Sequence, residues 1–149
     1  MKHKIIFDSH IYDLIVDGSL DITLLLSKKE NFEFYITHIQ IDEINRCSNE
    51  EKRAGLLLFM TKLLPKIIPT ESGVWDVSRW GESKWTDEKI TLIELLRKGN
   101  LKHTEDALIG ETAIKNKLIL VTDDDLLRSN VKKLGGETIS SEEFKEMLR

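Results

Sequence analysis

Short apolar runs recur along the chain, each ending at a polar break and followed by residues with helical spacing. Lys4–Phe7 reads as a first strand that stops at Asp8, with Ser9 and His10 behind it. His10–Asp17 and Ser19–Lys28 read as helices divided by Gly18. Ser19 is placed to cap the second, and Leu20, Ile22, Leu24 and Leu25 form its buried side. Phe32–Thr37, FEFYIT, is aromatic and β-branched, which suits a second strand. Thr37 or His38 then opens a helix carrying Ile39, Ile41, Glu43 and Ile44. Asn49–Leu64 is a longer helix, with Leu56, Leu57, Phe59, Met60, Leu63 and Leu64 as its apolar side and Pro65 as its stop. Lys66–Pro69 is a short third strand. Thr86–Lys98 has amphipathic spacing, with Ile90, Ile93 and Leu95 or Leu96 inward and Gly99 as C-cap.

Toward the end of the chain the pattern sharpens. Thr104–Asn116, TEDALIGETAIKN, predicts a helix capped by Thr104, with Glu105 and Asp106 in the first turn, where the helix dipole favours anions. Ala107, Leu108, Ala113 and Ile114 give it a packing side. Lys117 leads directly into Leu118–Val121, a fourth strand that ends at Thr122 and three consecutive aspartates. Leu126–Leu134 predicts a helix stopped by Gly135 and Gly136, and Glu137–Ile139 a brief last strand. Ser140 and Glu143 form a capping box for a terminal helix carrying Phe144, Met147 and Leu148. Strands alternating with helices call for a mainly parallel sheet with right-handed crossovers, an α/β fold with helices on both faces.

Composition sets bounds on this picture. The chain has 149 residues, 40% hydrophobic and 32% charged, with 2 Pro and 8 Gly. That is a globular composition without a linker or repeat, so residues 1–149 are expected to form one domain. The net charge of -4 argues against a generally basic nucleic-acid binder, though not against a nuclease whose carboxylates hold a cation. Cys47, the single cysteine, precludes an internal disulfide and suits a reducing compartment such as the cytoplasm. It reads as a partly buried small residue, since no local Cys/His pairing suggests a nucleophile. No apolar run approaches the ~20 residues of a membrane span, and MKHKIIFDSH is too short in its apolar part for a signal peptide.

The acids carry the chemistry. In open parallel α/β sheets, ligands bind just beyond the carboxyl ends of the strands. Asp8 and Asp123–Asp125 fall at two such ends, and Asp106 starts a helix whose exit feeds one of those strands. Adjacent carboxylates repel one another unless a cation or several donors meet them. The competing reading is plain: Asp123–Asp125 as a solvated turn with one helix cap, Asp106 as a dipole partner, and Glu43 as an exposed helical glutamate. That reading does not explain why helix start and strand ends place acids at one edge. Trp75, Trp80 and Trp85 share no helical face. Either each anchors a segment to the core, or they form a stacking surface for RNA bases beside Arg79 and Lys84.

Taken together, IIFDSHIYDLI, YITHIQIDEI and DALIGETAIKNKLILVTDDDLL resemble the PIN domain, a family of metal-dependent nucleases that includes the VapC toxins of toxin–antitoxin pairs. The resemblance spans essentially the whole chain, and the stretch from Asp106 through Thr122, Asp123 and Asp124 is its most specific part. It implies a three-layer α/β/α sandwich. It also implies an acidic quartet of Asp8, Glu43, Asp106 and Asp124, with Asp8, Asp106 and Asp124 as metal ligands. Glu43 would bind through water or orient the nucleophile. Ser9 and Thr122 match hydroxyl positions that support the site. Two departures stand out: His10 where the family often has Asn, and Leu126 where it often has an acid or polar residue. Asp123 and Asp125 are candidates to replace that last contribution.

An all-oxygen donor set of this kind suits Mg²⁺ or Mn²⁺, and no His/Cys cluster has zinc spacing. The expected function is therefore metal-dependent endoribonucleolytic cleavage of RNA, with DNA left open as a substrate. Further expectations from the resemblance are a homodimer and, for a toxin, a small antitoxin that often supplies a basic residue to the acidic pocket. The first alternative is a non-cleaving PIN-like RNA- or protein-binding module, which the retention of all four acids disfavours. The second is a receiver-like or phosphoryl-transfer domain. It is disfavoured because Glu43 lies in a helix rather than at a strand end, and no glycine-rich phosphate loop is present.

Overall fold

A computed structural model describes residues 2–70 and 104–149. Its elements, in order, are β1 (His3–Phe7), α1 (Ser9–Val16), α2 (Ile22–Ser27), a 3₁₀ turn (Lys29–Asn31), β2 (Phe32–Ile36), α3 (His38–Asn45), α4 (Glu50–Leu63), β3 (Lys66–Ile67), α5 (Thr104–Asn116), β4 (Ile119–Val121), α6 (Asp125–Lys133), β5 (Glu137–Ile139) and α7 (Ser141–Leu148). The five strands form one sheet in the order β3-β2-β1-β4-β5. Every pairing is parallel, with Ile5 opposite both Phe34 and Ile119. The central position of β1 is why its carboxyl end, at Asp8, sits in the middle of that sheet edge.

The two-residue period of the strands divides the core into two layers. Ile5 and Phe7 of β1, Phe32, Phe34 and Ile36 of β2, and Val121 of β4 face one side. There they pack with Ile11, Tyr12 and Ile15 of α1, Leu25 of α2, Leu56, Phe59 and Leu63 of α4, and Phe144 and Leu148 of α7. Phe7 is the hub, with the rings of Phe34, Tyr12 and Phe144 at 5.5, 5.6 and 5.3 Å. Ile6 and Leu120 face the other side, against Ile39 of α3, Ala107, Leu108, Ile109 and Ala113 of α5, and Leu127 and Val131 of α6. The result is the expected three-layer α/β/α arrangement.

Several local expectations are corrected. Asp21, not Ser19, caps α2: its Oδ1 accepts from the backbone N–H groups of Thr23 and Leu24 at 2.9 and 3.2 Å. Ser19 is instead held by its backbone N–H on Asp17 Oδ1 at 2.8 Å, so the chain runs two residues further before turning helical. Ile22, Leu57 and Leu64 were expected inside and are exposed. Leu64 adopts the left-handed conformation, φ 53°, because Pro65 disfavours a right-handed helical residue before it. The third strand is only Lys66–Ile67, since just two of its residues pair with β2. The expected helix at Thr86–Lys98 and its Gly99 cap lie outside the described residues.

Candidate functional site

Each acid is delivered by a local feature that the sequence dictates. Asp8 ends β1 and takes the N-cap position of α1, so its backbone is extended while its side chain is left over the sheet edge. The Asp8 backbone N–H donates to Val121 O at 3.0 Å, and that of Thr122 to Ile139 O at 3.0 Å, which locks the ends of three strands together. Asp124 caps α6, its Oδ1 accepting from the Leu127 N–H at 3.1 Å. Asp106 sits in the first turn of α5. Glu43 lies inside α3, half-buried as its position beside Ile44 suggested.

These acids meet in one cleft of about 640 Å³ at the carboxyl edge of the sheet. Asp8, Ser9, Glu43, Asp106, Asp123 and Asp124 line it. Its wall also includes His10, Asp13, Tyr12, Gln40, Ile44, Cys47, Lys52 and Leu56. The expected quartet is thus brought together. Thr122 is fully buried and supports the quartet from below. Its Oγ1 donates to Asp8 Oδ2 at 2.8 Å and accepts from the Asp124 N–H at 3.1 Å. Arg79, Lys84 and the three tryptophans lie outside the described residues.

The electrostatics are those of carboxylates crowded with little water. Burial raises the Asp8 pKa, and the neighbouring Asp124 charge adds to that, while the Thr122 hydroxyl, the Ser9 backbone N–H and His10 pull against it. Glu43 is pushed up to about 8, first by burial, then by its hydrogen bond with Glu105 and by the charges of Glu105 and Asp106. The Ser9 hydroxyl works the other way on Glu43, yet its Oγ is buried without a partner in full hydrogen-bond geometry, so it supports Glu43 only at the margin. Glu105 in turn pairs with Arg46 at 3.3 Å.

Asp123 behaves differently. Its Oδ1 accepts from the Ser141 backbone N–H at 2.8 Å and its Oδ2 from the Ser141 hydroxyl at 2.7 Å. Burial works against its charge, but those two bonds outweigh it and hold the carboxyl below its usual range. Asp123 therefore tethers β4 to the start of α7, and both its oxygens are engaged there.

Two contributors were missed in the sequence. Gln40 is fully buried, and its Nε2 donates to Phe7 O at 2.9 Å while its Oε1 accepts from the Thr37 N–H at 2.8 Å. The signal was present: Thr37 and Gln40 have capping-box spacing. Lys52 was read only as part of a helix, and it had no local signal, because its partner Asp13 comes from another helix.

The carboxylates are of the right type for a hard divalent cation, and Asp8 and Glu43 are both raised first by burial and further by neighbouring acids, a burden a bound cation would relieve. Among the described residues, no three His, Cys, Asp or Glu side chains converge closely enough to hold an ion by themselves. Mg²⁺ commonly uses one or two carboxylates and keeps several waters, which suits a spread of this kind.

The parallel five-stranded sheet between two helical layers is a PIN-like fold. Solved structures agree. The chain is similar to VapBC2 from Rickettsia felis, solved bound to a DNA fragment from their promoter, at 17% identity and a TM-score of 0.58, covering 92% of this chain and 98% of that one. It is also similar to PAE2754 from Pyrobaculum aerophilum, at 17% identity and a TM-score of 0.63, covering 99% of this chain and 98% of that one. No family model and no curated protein matches the sequence. Among the described residues no helix is long and apolar enough to cross a membrane.

Proposed function

We propose that this chain is a divalent-metal-dependent endoribonuclease that hydrolyses phosphodiester bonds in single-stranded or looped RNA. The observation that carries the reading is the meeting of Asp8, Glu43, Asp106 and Asp124 in one cleft, from segments far apart in sequence. Asp8, Asp106 and Asp124 would hold Mg²⁺ or Mn²⁺ between them, one or two directly and the rest through waters the ion retains. When bound, such a cation neutralises a scissile phosphate and lowers the pKa of an attacking water. The chain's own residues set this up. Thr122 fixes Asp8 relative to Asp124 through its single hydroxyl. Glu43, with its raised pKa, is suited to accept and hold a proton near neutrality. Gln40 fixes the start of α3 and so the place of Glu43.

The resemblance to VapBC2 supports a toxin role, with an antitoxin partner and a homodimer as further parts of the proposal. The alternative is a non-cleaving RNA- or protein-binding module on the same fold. The deciding experiment is cleavage of a mixed RNA pool by purified protein in Mg²⁺, Mn²⁺ or EDTA, beside Asp8→Asn. Cutting that needs the metal and disappears in the variant supports the nuclease. Absence of both cutting and divalent-ion binding in correctly folded protein overturns it in favour of the binding module.

A further inference from the structure

A polyanion entering a cleft lined by acids needs a cation of the protein's own beyond any metal. Among the described residues lining the cleft, Lys52 is the only lysine or arginine. Other cations near the acids are turned to structural use, Arg46 on Glu105 and Arg128 on Asp125 and Glu143. Lys52 stands in the first turn of α4, and its Nζ lies 2.6 Å from Asp13 Oδ1 on α1. Asp13 Oδ2 faces His10 Nδ1 at 3.7 Å. Tyr12, Ile44 and Leu56 line the same cleft.

We propose that Lys52 is the substrate-positioning residue of the cleft, gripping an RNA phosphate next to the scissile one while Asp13 holds its ammonium in place. The inference rests on the ribonuclease reading. Three arguments carry it. First, an ammonium has three donors, and Asp13 takes one, so Lys52 can bridge Asp13 and a phosphate together. Second, the pair is open to water, with side chains 36% and 43% exposed. Exposed pairs are worth only ~0–1 kcal/mol, so Asp13 biases the ammonium toward the cleft without locking it, and a phosphate can share it at little cost. Third, Asp13 raises the lysine's pKa through their hydrogen bond, so the positive charge persists at any pH the enzyme meets. Asp13 therefore acts as a holder that keeps a flexible side chain at the cleft wall rather than in solvent.

The test uses the full chain and a fluorescein-labelled, random-sequence, single-stranded RNA 10-mer. Binding is read by anisotropy over a NaCl series, in EDTA and in Mn²⁺, alongside steady-state cleavage. Lys52→Gln is expected to weaken binding roughly three- to tenfold near 0.1 M salt. It should also reduce the slope of log Kd against log salt by about 0.7, the value for one single-strand phosphate contact. KM should rise by a similar factor with kcat unchanged, and Lys52→Arg should restore most of the binding. Melting temperature should stay within a degree or two of wild type, so misfolding does not explain the loss. Wild-type protein that cuts RNA, with Lys52→Gln showing the same Kd and salt slope, overturns the role of Lys52 and leaves the nuclease standing. A fall in kcat at constant KM also overturns it. Wild-type protein that neither binds nor cuts the RNA overturns the nuclease reading and this inference with it.

Discussion

The hydroxyl of Thr122 donates to Asp8 Oδ2 at 2.8 Å, joining residues 114 positions apart in sequence. The same oxygen accepts from the Asp124 N–H, so one buried atom sets the spacing of two acids on neighbouring strand ends. Hydrogen bonds to a charged group contribute about 1.5–3 kcal/mol, more than neutral ones. Thr122→Val keeps the shape and removes the donor. It is expected to lower stability by about 1.5–3 kcal/mol where Asp8 is ionised, and to weaken Mn²⁺ binding roughly tenfold, as loss of a supporting group commonly does. Thr122→Ser should recover most of both. Calorimetric titration with Mn²⁺ and thermal melts check this, and an unchanged Mn²⁺ affinity in the valine variant would remove Thr122 from the site.

The crowding of acids has a signature in pH. Glu43 has a reference pKa of 4.5 and is pushed up to about 8 in the fold. Between those values the folded chain binds more protons at this position than the unfolded chain does. Its stability therefore falls as pH rises through that window. Asp8, also raised, acts in the same direction from its own lower reference of 3.8. In EDTA the melting temperature is expected to drop by about a few degrees from pH 5 to pH 8. Glu43→Gln, which cannot ionise, should flatten the upper part of that drop. Saturating Mn²⁺ should flatten it too, because a cation takes the place of the proton among the carboxylates. Melting curves at several pH values, with and without Mn²⁺, give the answer; a wild-type profile that rises from pH 5 to pH 8 would contradict the assignment.

Periodicity made much of this fold legible before any coordinates. The apolar run at Lys4–Phe7 and the aromatic, β-branched run at Phe32–Thr37 mark true strands, the capping box at Ser140 marks a true helix start, and helices do begin beside Thr37 and Asn49 where the spacing placed them. The acids were legible because strand ends and helix starts bring residues to one edge whatever their sequence separation. What stayed hidden depends on long-range partners or on competing local ones. Asp123 looked equivalent to its neighbours, and only the docking of α7 shows that Ser141 occupies both its oxygens. Asp21 displaced Ser19 as a cap because a carboxylate on extended backbone, one residue before the helix, reaches two N–H groups at once. Leu57 has the composition of a buried face but is exposed, since helical spacing leaves the exact arc of burial to the partner helices, and Leu64 is exposed because it has already left the helix in a left-handed conformation before Pro65.

Gln40 shows how a local motif can serve a distant site. Its side-chain amide closes the capping box at the start of α3 and also reaches across to the last carbonyl of β1. The Phe7 carbonyl immediately precedes Asp8, so the same amide relates the strand that presents Asp8 to the helix that presents Glu43. Gln40→Leu keeps an apolar bulk there but leaves the Thr37 N–H and the Phe7 carbonyl without these partners. An unsatisfied buried group costs about 1–3 kcal/mol, so a loss of roughly 2–6 kcal/mol is expected for the two. Gln40→Glu separates the two bonds. It keeps the acceptor for Thr37 but sets an oxygen against the Phe7 carbonyl, in a cleft already crowded with acids. Its stability should fall with rising pH more steeply than that of wild type, and its RNA cleavage should fall at least tenfold, as geometric misplacement of a reacting group commonly costs. Denaturant unfolding at pH 5 and pH 8, paired with cleavage assays, separates the two effects. If both variants unfold and cut as the wild type does, the tie between β1 and α3 has no part in shaping the cleft.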